Sequence, residues 1–385
     1  MKICLIDPTY PFRGGISHYT TLLYKSLLKR HEIYFFAFKR QYPRWLFPGK
    51  TDIDPSQIHI QEEGTQKILD SMDPVSWVRV ASKIIKSNPD LLIIPWWVSF
   101  WTPQFWSISV LVKMLSKAKI LFLCHNVVEH ESNWINKFLT RSVLRNGDLF
   151  IVHSAEDEKN LLAIFHNAKV RKSFHPTYDV FNQGDFNEAR IKGRLGIKGN
   201  VILFFGFIRE YKGLKYLLKS LPEVLSEVKV TLLVVGEFWK DKNDYISLID
   251  QLGIEDNIVL VDEYVPNEKI GEYFSVADLV VQPYISATGS GVIQTAFGFN
   301  KPVVATTVGC LPEVIEDGKT GYLVPPEAPH EIAQAVIKFF CEGNRQAFYE
   351  NIEKEKYKFS WDRMVDVIEE LATDSGCMCN DGKAI

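Results

Sequence analysis

One phrase recurs along the chain and limits what it can fold into. A short apolar run ends in glycine or polar residues, and a stretch with helical spacing follows. MKICLID leads to RGG and then ISHYTTLLYKSLLKR, and DLLIIPW, KILFLCHN and DLFIVHSAEDEKNLLAIF repeat the pattern. Apolar runs without alternation read as strands buried on both faces, the signature of parallel sheet. Strands alternating with helices specify an α/β fold. Around residues 176–200 the text turns polar and glycine-rich, and then the phrase restarts with VILFFG, KVTLLVVG, NIVLVDE, ADLVVQPY and KPVVAT. A chain of 385 residues accommodates two such domains. The expected architecture is therefore two doubly wound domains facing across a cleft, with ligands at the carboxyl ends of the strands. The expected boundaries are 1–178 for the first domain and 179–359 for the second. The helix over 360–372 fits either domain, packing back on the first being one option, and a disordered tail is expected over 373–385.

Charge narrows the partners. The formal net charge is −3, but residues 1–170 hold 21 Lys and Arg against 15 Asp and Glu, and the remainder holds 23 against 32. A basic first half steers an anionic partner or a membrane surface toward itself; ordinary surface variation is the plainer reading. No basic stripe or recognition motif marks a nucleic-acid binder. The six cysteines show no metal spacing and suggest a reducing compartment. The opening MKICLIDP reads as a strand and not a leader, and no apolar run reaches membrane-spanning length. A cytoplasmic protein is expected, peripheral on the membrane face. The contact is expected at 95–106, PWWVSFWTPQFW, where Trp96, Trp97, Trp101 and Trp106 crowd with Phe100 and Phe105; a sugar platform and a protein contact are the other readings of such a surface.

Three connections carry candidate chemistry. In GFIREYKG, Arg209 and Lys212 stand where a strand hands over to a helix. Cations are electrostatically unwelcome at a helix start unless an anion joins them, and a phosphate would supply that charge. Solvated surface cations are the alternative. Gly14 and Gly15 follow the first strand, permit close backbone approach and have Arg13 and His18 nearby. In PYISATGSGVIQTAFGF, Thr288, Gly289, Ser290, Gly291 and Val292 would form a bare helix start open to phosphate oxygens, or simply a close helix–sheet contact. Neither the three-glycine dinucleotide fingerprint nor a Walker signature occurs. His125, His153 and His175 lie at strand ends, where sites of α/β domains gather.

Taken in order, RGG, HN after a strand, GFIREYKG, LLVVGE, DEYVPNEKIGEYFSVADLVVQPY and KPVVATTVGCLPEVIEDGKTGYLV resemble the retaining nucleotide-sugar glycosyltransferases of family 4, group 1, over about residues 1–372. The resemblance implies a GT-B fold of two Rossmann-like domains. It implies transfer of a hexose from a UDP- or GDP-sugar donor to a glycan or lipid-linked acceptor in polysaccharide or glycolipid synthesis, without cofactor or metal. On that resemblance Arg209 and Lys212 hold the donor diphosphate and His125 touches the donor sugar. Gly14 and Gly15 approach the phosphates, Val265 and Pro266 border the base, and Gly289 to Val292 meet sugar and phosphate. The sequence departs at the family's two glutamates, whose places hold Ala287 and Thr295. Thr288, Ser290, Gln294 and Glu313 stand nearby as substitutes. A non-catalytic glycan- or partner-binding descendant, or a nucleotide-sugar epimerase, is the competing reading.

Overall fold

A computed structural model of the chain describes residues 1–43, 51–57, 63–128, 134–342 and 344–374. The first sheet contains β1 (Lys2–Asp7), β2 (Glu32–Arg40), β3 (Gln66–Asp70), β4 (Leu91–Trp96), β5 (Lys119–Cys124), β6 (Leu149–Val152) and β7 (Val170–Lys172). It is parallel throughout, in the order β3-β2-β1-β4-β5-β6-β7. The second contains β8 (Asn200–Phe205), β9 (Val230–Val235), β10 (Ile258–Val261), β11 (Leu279–Gln282), β12 (Val303–Thr306) and β13 (Gly321–Val324), in the order β10-β9-β8-β11-β12-β13, also parallel. The expectation of two doubly wound α/β domains holds.

The continuous apolar runs have a direct cause. Alternate residues of one strand point to opposite faces, and here both faces are covered. Cys4, Ile6, Phe36 and Phe122 join one core, while Ile3, Leu5, Phe35 and Leu121 join the other. In the second sheet Val201, Leu203 and Leu233 face one way, and Ile202, Phe204 and Leu232 the other.

The helix Trp361–Thr373 lies on the first sheet. Met364, Val365, Ile368 and Leu371 share a core with Ile3, Leu23 and Leu27. Arg30 donates to Asp366 at 2.6 Å along its edge. The two passages between domains meet: the Thr177 amide donates to the Phe359 carbonyl at 2.8 Å, and Trp361 Nε1 donates to the Thr177 carbonyl at 2.9 Å. Of the tail expected over 373–385, Thr373 is helical and residues from 375 onward, with Cys377 and Cys379, lie outside the described residues.

The aromatic stretch 95–106 is corrected. Trp96, Trp101 and Phe105 are core side chains of the first domain, with Trp97 and Phe100 packed against them. Burial against the sheet gains more than exposure at a lipid boundary would, and only Trp106 of the six aromatics stands exposed. The stretch as a whole is therefore not a membrane surface, and of its aromatics Trp106 alone is left on the outside of the domain. Among the described residues no helix is long and apolar enough to cross a membrane.

Candidate functional site

The carboxyl ends of the two sheets face each other across a cleft of about 590 Å³, continuous with a second cavity of about 410 Å³. Gly15, Asn126, Tyr178, Tyr211 and the segment Thr288–Gly291 line both. Direct bridges hold the domains together. Arg13 donates to Glu237 at 3.1 Å with both side chains buried, and its guanidinium lies against Phe207 and Tyr264. The Tyr178 hydroxyl donates to the Gly15 carbonyl at 3.1 Å.

After β8 the chain makes a short turn, Glu210–Lys212, before the helix Leu214–Glu227. Gly213 joins them with φ of +70°, a left-handed conformation that glycine adopts without steric cost. A Cβ there would overlap the Pro283 carbonyl. The turn sends Lys212 back toward Gly206, where its ammonium occupies the space a side chain at that position would need. Lys212 is 8% exposed, and its Nζ lies 5.3 Å from the Tyr284 ring centroid. Burial lowers the ammonium's pKa, Tyr211 opposes that and Arg209 adds to it; no carboxylate contributes. Arg209 is exposed and stacks over Trp239 at 3.7 Å. Two cations thus line one cleft wall without an anionic partner among the described residues.

Beside the cations, on the same wall, is the start of the helix Gly291–Gly298: a side chain at Gly206 would meet both the Lys212 ammonium and Val292. Ser290 caps it, accepting from the Ile293 amide at 3.3 Å while its hydroxyl meets Tyr284 at 3.0 Å. The first amides of a helix have no intrahelical acceptor, and Gly291 and Val292 line the cleft. Thr288, Gly289, Gly14, Gly15 and Val265 line it too. Pro266 does not; it precedes the helix Asn267–Val276.

His125, at the end of β5, lines the smaller cavity beside His153 and His175, with ring centroids 5.2 and 6.4 Å away. Its Nε2 is enclosed and has no hydrogen-bond partner among the described residues. Burial, then the two neighbouring imidazoles, holds it neutral well below the usual histidine range. Burial likewise lowers His153 to about 4 and His175 to about 3.

These neutral histidines set a pH dependence. A buried imidazole takes up a proton on unfolding near its ordinary value of 6.5, so the unfolded chain binds more protons below that pH. Their stabilising contribution is complete above about pH 6.5 and is lost as pH falls through the interval down to about 4 and then 3. Thermal unfolding midpoints should drop between pH 7 and 4, and His153→Asn should flatten that drop. Equal slopes in both proteins would remove His153 from the effect.

The glutamate positions are also visible. Ala287 and Thr295 both line the cleft, and Thr295 Oγ1 turns back to the Gly291 carbonyl at 2.9 Å. Gln294 is buried against the smaller cavity. Glu313 does not substitute for the pair, because it accepts from the Ala155 amide at 2.9 Å and pairs with Lys172 at 2.7 Å. Sequence reading missed Tyr178, Asn126, Tyr211, Glu237, Glu263 and Tyr264 as lining residues. Of these, Asn126, Glu237 and Glu263 each stand two residues past a strand end, where position alone could have flagged them. Among the described residues no group of three His, Cys, Asp or Glu is placed to hold a metal ion.

Residues 199–342, most of the second domain, match the family described as Glycosyl transferases group 1. Over 199 residues the chain is 31% identical to an uncharacterized glycosyltransferase of Methanocaldococcus jannaschii, covering 49% of this chain and 50% of that protein. Over 237 residues it is 28% identical to the D-inositol 3-phosphate glycosyltransferase of Mycobacterium leprae, covering 59% and 55%. The chain spans about half the length of the curated relatives it matches. Its fold is similar along nearly the whole chain to Anabaena HepE in complex with UDP, with a TM-score of 0.74, 16% identity and coverage of 96% and 99%. Sucrose-phosphate synthase from Thermosynechococcus elongatus is similar at a TM-score of 0.71, 16% identity and the same coverage. The two-domain arrangement is the GT-B fold.

Proposed function

We propose that the chain is a retaining glycosyltransferase that moves a hexose from a UDP- or GDP-sugar to a glycan or lipid-linked acceptor. One observation carries this reading: Lys212 and Arg209 line the cleft between the two domains, and among the described residues neither is paired with a carboxylate. A buried, unpaired ammonium is costly, and a diphosphate in the cleft would relieve that cost. Fold relatives crystallised with UDP and UDP-glucose support a uridine donor, and the family match supports glycosyl transfer.

On this reading the anomeric C–O bond breaks and its electron pair passes to a β-phosphate oxygen. Lys212, Arg209 and the amides of Gly291 and Val292 hold the growing charge; interactions that strengthen toward the transition state are the ones that accelerate it. The acceptor hydroxyl attacks from the face the diphosphate leaves, and its proton goes to a phosphate oxygen. Anomeric configuration is kept and no carboxylate base is required, which suits a site with Ala287 and Thr295 where the family has glutamates. On this reading neutral His125, which lines the smaller cavity, meets the donor sugar.

A non-catalytic binding role draws on that same missing pair. A panel of UDP-, GDP- and ADP-hexoses incubated without acceptor separates the two. Slow release of UDP or GDP together with free hexose is expected from one donor. No hydrolysis and no nucleotide binding, with affinity for glycan alone, would replace this reading with the non-catalytic one.

A further inference from the structure

The exposed apolar side chains of the first domain gather on one layer. Helices Pro74–Ser87, Thr102–Leu115 and Trp134–Leu144 follow β3, β4 and β5 and pack side by side on one face of the sheet. Their inner sides are core: Val80 and Ile84, Phe105 and Ile108, Val143 and Leu144. Their outer sides are not polar, as a solvated helix face would be. Trp134 is 79% exposed, Met114 74% and Phe138 64%, with Val75, Trp106 and Ile135 also exposed. The same three helices contain no Asp or Glu, while Arg79, Lys83, Lys86, Lys137 and Arg141 are spread among the apolar groups and Lys113 is paired with Asp148 at 3.0 Å. Trp134, Phe138 and Arg141 recur at helical spacing on the outer side.

We infer that this outer helix face docks on an anionic lipid bilayer. Indole and phenyl rings suit the headgroup boundary, and basic side chains around them add attraction to anionic lipid of about 1 kcal/mol each near the surface. An apolar face with an excess of basic side chains matches that surface better than it matches a second copy of itself, whose like charges would oppose one another. Each of these helices starts at the carboxyl edge of the sheet, so Val75, Trp106 and Trp134 lie toward the cleft. The bilayer would then adjoin the acceptor side of the site. That last clause rests on the transferase reading; the docking itself does not.

The test uses the full chain and no sugar. Sedimentation with vesicles of phosphatidylcholine containing phosphatidylglycerol is compared with phosphatidylcholine alone. Strong association with the first and weak association with the second is expected. Trp134→Ser with Phe138→Ser, and separately Lys137→Glu with Arg141→Glu, should each weaken it at least tenfold, while Tyr357→Ser leaves it unchanged. Circular dichroism and light scattering accompany each variant. No association at low salt, equal binding to both vesicle types, or a dimer that the serine pair dissociates without any vesicle binding would overturn the inference.

Discussion

Replacing Lys212 by Met should lower kcat by about 10²–10³-fold, the loss that follows removal of one preorganised donor to a developing oxyanion, while the folded protein becomes no less stable. The two effects share one cause. The ammonium is buried, its pKa is held down by that burial, and among the described residues no carboxylate pairs with it. A charge in that position opposes folding, so a structural lysine would have acquired a partner. Methionine fills similar volume without the charge. A thermal midpoint equal to or above that of the parent, with turnover lost at saturating donor, is the signature of a group kept for its ligand. Arg209→Ala should act in the same direction and less strongly, because its guanidinium is exposed and solvent screens it. Parent-like turnover in the Lys212 variant, or a large loss of stability with turnover per folded molecule intact, would remove it from catalysis.

The second large effect is expected at Gly213. Its φ of +70° puts a side chain in the left-handed region, and a Cβ would overlap the Pro283 carbonyl, which is backbone and has little room to yield. Gly213→Ala combines about 1–2 kcal/mol of left-handed strain with overpacking of about 1–3 kcal/mol. The contact can be relieved only by moving the turn that aims Lys212. Gly196 supplies the control. It has φ of +68° but open space around its would-be Cβ, so Gly196→Ala should show the strain alone and leave turnover unchanged. Gly213→Ala should lower the urea midpoint more than Gly196→Ala does and should reduce kcat in the fraction that folds. Equal midpoints in the two variants would show that the close approach to Pro283 carries no weight.

The parallel sheets were legible because burial on both faces writes itself into the sequence as unbroken apolar runs. Ile3, Cys4 and Leu5 go alternately to opposite cores, so each successive position of the strand is apolar. The 95–106 stretch misled because aromatic density is the same in a core and at an interface. The distinguishing signal was periodicity: Trp101, Phe105, Ile108 and Val112 recur at helical spacing and form the inner stripe of a helix. The outer apolar face of Trp134–Leu144 went unread for the opposite reason, since its residues are dispersed among basic ones and form no run. Connections such as GFIREYKG could be located from strand ends and glycines. Whether their cations are neutralised could not, because that depends on which distant carboxylates fold nearby. Arg13 finds Glu237 across the two domains and Glu313 is taken by Lys172, whereas Lys212 finds no carboxylate among the described residues.

The account depends on positive groups at the mouth of the second sheet receiving a diphosphate. A crystal structure of the chain soaked with UDP, or with GDP if the donor panel selects it, tests this most directly. The predicted result is phosphate oxygens within hydrogen-bond distance of Lys212 Nζ, the Arg209 guanidinium and the amides of Gly291 and Val292. A nucleotide whose phosphates bind elsewhere, with both cations left facing solvent, would contradict it.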